Sequence, residues 1–224
     1  MKRPTPTDMV AAIVSLLILT GAAWVAMLGP ETPIPLHFDA AGQADRYGSR
    51  YELAAVLAGL AGLNLLVAWM TGRQAETVAD PIRQKGLRRG QWLSIIIMGA
   101  VAAFIGWSSL GPAAASGVTH LGGAMAFTAL ILLIAGASLG RVGPNPFIGV
   151  KTPWAYKSRL AWDRSNRLAG RLMFWLGAIA LVASPFVAQP AGLIGLVVGA
   201  LIAALWSVFE SWRVWRADPE RQPF

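Results

Sequence analysis

The residues best suited to acid–base or metal chemistry lie in a polar segment between two apolar runs, residues 29–52. His37, Asp39 and Asp45 occur there together, and Arg46 follows directly. A histidine with two carboxylates has the chemistry to hold a divalent metal or to transfer a proton. The spacing matches no recognised metal-ligand pattern, and a metal site needs convergent ligands. The sequence therefore favours a folded recognition loop in which Asp45 and Arg46 make local hydrogen bonds.

A second polar cluster, residues 143–171, combines cations, hydroxyl groups and tryptophans. Its first residues, Gly-Pro-Asn-Pro, cannot continue a helix. Lys151, Thr152 and Trp154 then place an ammonium, a hydroxyl group and an indole side by side. Because lysine and arginine bind anionic groups, Lys151 and Arg167 are predicted to hold such a group at the inner side of a membrane.

The second half of this cluster has the spacing of a helix. Ser158 is a favourable N-cap, and Trp162, Asn166 and Gly170 follow it at four-residue steps on one face. The pattern predicts an interfacial helix that turns at Gly170 into the next span, at a depth set by Trp154 and Trp162. A helix that only anchors on anionic lipid explains the pattern equally, and this alternative stays open.

Apolar runs must position both clusters, because the chain is 55% hydrophobic and only 13% charged. Roughly 20 apolar residues cross a ~30 Å hydrocarbon core, and six windows without charged residues or histidine approach that length. They are residues 9–28, 53–70, 92–110, 121–139, 172–188 and 191–209. The sequence therefore predicts an all-α integral membrane protein with six transmembrane helices.

The distribution of charge predicts the orientation of these helices. Of the 19 basic residues, only Arg46 and Arg50 fall on the side opposite to the termini, where His120 is also expected. The positive-inside rule therefore predicts cytoplasmic termini in a bacterial inner membrane. There are no cysteines, which excludes disulfides and cysteine metal sites. Because the positive charge is divided between apolar runs, direct nucleic acid binding is not predicted.

Close helix packing is predicted on the last span. Gly195 and Gly199 form a small-xxx-small step, which lets a neighbouring backbone approach. Glycine is frequent in membrane helices in general, and this explanation stays open.

The outer segment resembles a small bacterial membrane domain without an assigned function that often precedes SdpI-type proteins. The shared pattern is P-x-H-x4-G-x2-D-x2-G-[ST]-[KR]. The residues that fill it are Pro35, His37, Gly42, Asp45, Gly48, Ser49 and Arg50.

The second cluster resembles the signature of the SdpI family of immunity proteins, approximately G-[IV]-[RK]-T-P-W-x3-S-x3-W-x2-[TS]-[HN]-R-x2-G. The matching residues are Gly149, Lys151, Thr152, Pro153, Trp154, Ser158, Trp162, Ser165, Arg167 and Gly170. Lys151 stands where arginine is usual, and Asn166 stands where histidine is usual. Since asparagine does not titrate, a proton-transfer role at position 166 is not expected.

This resemblance implies immunity to, or sensing of, an extracellular toxin peptide or envelope ligand, with a cytoplasmic repressor as a further partner beside membrane lipids. Residues 1–70 would form a first helical hairpin and residues 71–224 an SdpI-like four-helix region. Ligand contacts are expected in the outer loop at His37, Asp39, Asp45, Arg46 and Arg50. The inner site would comprise Lys151, Thr152, Trp154, Ser158, Trp162, Asn166 and Arg167.

Two other classes of function stay open from the residues. A transporter or flippase for a solute, peptide or lipid usually places an ionisable group within a span, and the six windows contain none. A membrane-interface enzyme needs a nucleophile near a base, and no recognisable spacing of such a pair occurs. The sequence therefore favours a protein that is not an enzyme and uses no cofactor.

Overall fold

The computed structural model describes residues 5–79, 81–112, 114, 121–145 and 147–222, without the side chains of residues 82 and 83. The elements in chain order are helix α1 (Pro6–Leu28), strands β1 (Ile34–Phe38) and β2 (Ala44–Gly48), and helices α2 (Arg50–Thr77), α3 (Pro81–Leu110), α4 (Leu121–Leu139), α5 (Pro153–Tyr156), α6 (Arg159–Ala183) and α7 (Ala191–Ala217). Among these, six helices are long and apolar enough to cross a membrane. The prediction of an all-α protein with six spans is confirmed.

Several helices are longer than their predicted apolar windows and begin at polar capping residues. Thr5 and Asp8 form a capping box at the start of α1, in which each side chain bonds the backbone of the other residue. The Ser49 hydroxyl accepts a hydrogen bond from the amide of Glu52 (3.2 Å) and so begins α2. Hydrogen-bonded caps remain stable in water, so the helices extend past the hydrocarbon-length windows.

The fifth span differs from its prediction. The predicted turn at Gly170 is wrong, because α6 is one continuous helix from Arg159 to Ala183. Gly170 is buried, and a Cβ added to it would lie 2.9 Å from the carbonyl oxygen of Gly136 on α4. Gly170 therefore serves the close contact between α4 and α6 inside a continuous helix.

The long helices pack in two groups. Helices α1, α2 and α3 contact one another, as do α4, α6 and α7. Helices α3 and α4 join the groups, and the rings of Phe104 and Phe127 stack there with centroids 4.2 Å apart. The division of the chain near residue 70 stays a prediction, although α3 packs with the first two helices.

A buried polar network holds the first group together near the start of α1. The Gln91 Nε2 atom donates to the Asp8 carboxylate (2.7 Å) and to the Ala68 carbonyl (3.0 Å). The Arg88 guanidinium donates to the Gln91 Oε1 atom (2.8 Å) and lies 3.5 Å from Asp8. Since these residues come from α1, α2 and α3, the network fixes all three helices.

Helices α4 and α6 approach most closely at glycines. A Cβ added to Gly136 would lie 2.4 Å from the backbone nitrogen of Phe174, and one added to Gly177 would lie 2.5 Å from a carbonyl oxygen of α4. A Cβ on Gly195 would meet nothing within 4 Å, and the atoms nearest to one on Gly199 would belong to the side chain of Leu176. The predicted close approach of a neighbouring backbone at Gly195 and Gly199 is therefore wrong.

Candidate functional site

The segment between α4 and α6, residues 140–158, is called the α4–α6 connection. The side chain of Asn145 orders the first half of this connection by bonding its backbone. The Asn145 Oδ1 atom accepts hydrogen bonds from the amides of Phe147 and Ile148, both at 2.8 Å. The Tyr156 hydroxyl donates to the Asn145 carbonyl oxygen (3.0 Å). An asparagine that bonds the backbone in this way replaces regular secondary structure and orders the connection.

Two side chains of α6 hold the connection against the helix. Trp162 is 0% exposed, and its Nε1 atom donates to the Val142 carbonyl oxygen (2.8 Å). The Asn166 Oδ1 atom accepts from the Val150 amide (2.7 Å). Gly149 passes between them with a φ of 127°, and a Cβ there would lie 2.6 Å from Asn166 Oδ1. Only glycine fits this left-handed position beside the two side chains.

Two hydroxyl groups tie the connection to α7. Thr152 caps α5 and its hydroxyl group hydrogen-bonds the Ser211 hydroxyl group (2.8 Å). Ser158 caps α6 by accepting from the Ala161 amide (2.9 Å), and it donates to the Asp218 carboxylate (2.5 Å). The connection is thus fixed to the start of α6 and to the last turns of α7.

Replacing Ser158 with alanine should destabilise the protein by about 2 kcal/mol, because it removes a helix cap and a hydrogen bond to a buried carboxylate. Thermal unfolding in detergent would measure this. The matched control is Ser108→Ala, since the Ser108 hydroxyl donates within its own helix, to the Ile105 carbonyl oxygen (3.1 Å). An equal loss of stability in both variants would contradict the capping role.

The structure separates the residues predicted for the inner site. Thr152, Ser158, Trp162 and Asn166 are buried and bond other parts of the protein. Trp162 is too buried to contact lipid, so its predicted role in setting depth is wrong. Trp154 is half-buried in α5, and its role in setting depth stays a prediction.

The two cations predicted to act together have different surroundings. The Lys151 Nζ atom donates to the Phe147 carbonyl oxygen of the connection (3.2 Å). Arg167 is exposed and lines an open groove of about 780 Å³ between α4, α6 and α7, which we call the arginine groove. The residues lining it are Gly136, Ala137, Gly140, Arg141, Arg164, Arg167, Leu168, Gly170, Arg171, Phe174, Trp175 and Glu210. The sequence identified one cation of this groove and missed the others.

The outer segment contains an antiparallel hairpin, which the sequence did not predict. Strands β1 and β2 pair with Ile34 opposite Gly48 and with an irregular register around His37. The Asp39 Oδ1 atom accepts from the amides of Ala41 and Gln43, both at 2.8 Å, and orders the turn. We refer to residues 34–48 as the outer hairpin.

The charged side chains of the outer hairpin make the local bonds expected of a folded loop. The His37 Nδ1 atom lies 2.6 Å from the Asp45 Oδ1 atom, with these side chains 65% and 47% exposed. Arg46 pairs with Glu52, and the Arg50 guanidinium donates to the Gly29 carbonyl oxygen (3.2 Å). Arg50 therefore closes the segment at its base, while His37 and Asp45 are open to solvent.

A metal site at these residues receives no support. In the described ranges, no group of three histidine, cysteine, aspartate or glutamate side chains converges on one point. Asp39 bonds the turn, whereas His37 and Asp45 bond each other. His120 lies outside the described residues.

A second groove, of about 600 Å³, lies between the tip of the hairpin and the second helix group. Ala41 lines it from the hairpin, Leu121 and Gly122 from the start of α4, and Ser184 and Gln189 from the turn before α7. The hairpin thus faces a cleft whose other wall is formed by the second helix group.

Six apolar helices, helix-terminal polar networks and a folded polar hairpin define a multi-pass α-helical membrane protein. Residues 141–210 match the SdpI/YfhL protein family. The Immunity protein SdpI of Bacillus subtilis (strain 168) is 31% identical over 87 residues, which are 39% of this chain and 42% of that protein. The chain thus covers less than half of that relative's length. The SdpI-family resemblance of the sequence is confirmed through this segment. No solved structure matches the chain.

Proposed function

We propose that this protein gives immunity to, or senses, an extracellular toxin peptide or envelope ligand. The observation that carries the proposal is the match of residues 141–210 to the SdpI/YfhL family, together with the similarity to an immunity protein. The matched segment contains the α4–α6 connection, α6 and most of α7.

The orientation proposed for this function has both termini in the cytoplasm of a bacterial cell. Contacts support placing the termini on one side. Arg88 at the start of α3 reaches Thr5 (3.2 Å), and the neighbouring Arg89 reaches the Arg141 carbonyl oxygen of the α4–α6 connection (3.2 Å). The Gln222 amide reaches the Lys157 carbonyl oxygen of the same connection (2.8 Å). The excess of basic residues on that side supports calling it the cytoplasmic side. The outer hairpin would then face the envelope, where a toxin arrives.

The outer hairpin is the proposed ligand contact. Its exposed His37–Asp45 pair offers a donor and a charged acceptor, and Tyr47 is 51% exposed beside them. Exposed aromatic and charged groups on a folded loop suit recognition of a peptide. The adjoining cleft against α4 would let a ligand contact the hairpin and the second helix group at once.

The protein would also signal to a cytoplasmic repressor. A basic cytoplasmic surface is suited to attract an acidic protein partner. A ligand that bridges the hairpin and α4 would bias the second helix group. The α4–α6 connection, which bonds α7 through Thr152 and Ser211, would carry that change to the proposed cytoplasmic side. Coupling of this kind requires two arrangements of the helices with different ligand affinities.

Replacing Asp45 with alanine should weaken peptide binding about tenfold or more, because it removes a charge and the partner of His37. Secreted antimicrobial peptides would be titrated singly against full-length protein in nanodiscs, and survival of expressing cells would be scored with the same peptides. Glu220→Ala is the control, since it removes an exposed carboxylate near the carboxyl terminus.

The Asp45→Asn variant separates charge from hydrogen bonding, since the amide oxygen can still bond His37. Binding that persists in Asp45→Ala and disappears in Arg167→Ala would contradict recognition by the outer hairpin. Binding of no peptide, with no gain in survival, would contradict the immunity proposal as a whole.

A further inference from the structure

The arginine groove concentrates positive charge without acidic partners. Arg164, Arg167 and Arg171 lie on one face of α6, and Arg141 approaches from the end of α4. In the described part of the chain, none of these four guanidinium groups has a carboxylate oxygen within 4.0 Å. Like charges at this spacing on a helix repel one another. A bound anion would remove that repulsion.

The acid that lines the groove, Glu210, forms an ion pair with an arginine outside the groove. Glu210 accepts from Arg213 through both carboxylate oxygens, each at 2.8 Å. The Glu210 side chain is 14% exposed. The Glu210 carboxylate is therefore paired with Arg213 and with none of the four groove arginines.

The groove continues as an apolar surface on one side. Leu168 lines both the arginine groove and a smaller apolar groove of about 300 Å³ between α6 and α7. The smaller groove is also lined by Leu172, Leu176, Ile202 and Trp206. Because Leu168, Leu172 and Leu176 follow one another at single helical turns, the apolar surface runs from the arginines toward the middle of α6.

We infer that these two grooves together bind one anionic phospholipid, with its phosphate group on the arginines and an acyl chain between α6 and α7. Arginine forms paired hydrogen bonds with phosphate oxygens, and basic pockets between membrane helices are suited to such headgroups. A free anion or an acidic peptide would use the arginines and leave the apolar groove unfilled. Four guanidinium groups favour a lipid with two phosphates, such as cardiolipin.

The test is native mass spectrometry of the full-length protein in neutral detergent, titrated with cardiolipin, phosphatidylglycerol, phosphatidylethanolamine, inorganic phosphate and a polyglutamate peptide. The groove variant is Arg164→Gln/Arg167→Gln/Arg171→Gln. It should bind cardiolipin about 100-fold more weakly than the unaltered protein. The matched control removes three arginines outside the groove, Arg73→Gln/Arg159→Gln/Arg216→Gln, and should bind cardiolipin normally.

A second variant tests the apolar part of the site. Gly199→Leu would fill the space beside Leu176, where an added Cβ already lies 3.1 Å from that side chain. It should weaken cardiolipin binding. Inorganic phosphate should still compete at the arginines as it does in the unaltered protein. The single variant Arg167→Gln gives a milder loss and serves if the triple variant does not fold.

Several results would overturn the inference. Equal losses in the groove and control variants would show that binding follows net charge alone. Binding of phosphatidylethanolamine as tight as that of cardiolipin would remove the anionic requirement. Binding of inorganic phosphate or polyglutamate tighter than that of any lipid would show that the groove serves a soluble anion or an acidic protein.

Discussion

Alanine in place of Trp162 should lower the free energy of unfolding by about 3–5 kcal/mol, the range for large aromatic residues removed from a packed interior. Trp162 is 0% exposed and contacts both halves of the α4–α6 connection. The change opens a cavity and leaves the Val142 carbonyl oxygen without its donor. The measurement is the thermal unfolding midpoint of the purified protein in detergent.

Two variants divide this loss into its causes. Trp162→Phe keeps most of the ring volume and removes the indole N–H, so it should cost about 1–3 kcal/mol. Trp24→Ala is the exposed control, since Trp24 is 52% exposed on α1 and should change stability by about 0.5 kcal/mol or less. Similar losses in Trp24→Ala and Trp162→Ala would show that Trp162 has no special packing role.

The Gly136→Ala variant should lose about 3 kcal/mol of stability, at the upper end of the usual cost of overpacking. The new Cβ would lie 2.4 Å from the Phe174 nitrogen and 2.8 Å from the Gly170 carbonyl oxygen. These are backbone atoms of a neighbouring helix, so no side-chain rotation relieves the overlap. Helices α4 and α6 would have to separate, and unfolding in detergent would measure the cost.

Gly195→Ala is the matched control for this substitution. It makes the same chemical change in a helix of the same group, at a position where an added Cβ meets nothing within 4 Å. Because alanine favours helix over glycine, this variant should be neutral or more stable by up to about 1 kcal/mol. Equal effects of the two substitutions would contradict the close contact between α4 and α6.

The membrane-spanning helices were predictable because their main requirement is local. The window 121–139 coincides with α4, and the windows 9–28, 53–70, 92–110 and 191–209 each lie inside an observed helix. Hydrocarbon thickness sets the length of an apolar run, which can be counted along the chain. The window 172–188 passes the end of α6 at Ala183, because serine and proline follow there.

Two features of the fold have a signal in the sequence that the apolar windows do not contain. The spacing Gly136-x3-Gly140 marks the close face of α4, although the same spacing on α7 has no such contact. The outer hairpin has a glycine at φ 82°, Gly42, in a turn between two short strands. Which glycine pair meets a neighbour depends on how the helices are rotated, and spacing alone does not contain that information.

The sequence by itself determined that this protein crosses a membrane, which residues form the SdpI-like signature, and where the excess of positive charge lies. Only the tertiary structure decided what those residues do. Asn166 and Trp162 bond the backbone of the α4–α6 connection, whereas Arg167 turns outward to join Arg141 and Arg164 in a groove. The physical reason is that an apolar span is fixed by composition over neighbouring residues, while a hydrogen bond or a charged groove depends on residues brought together from distant parts of the chain.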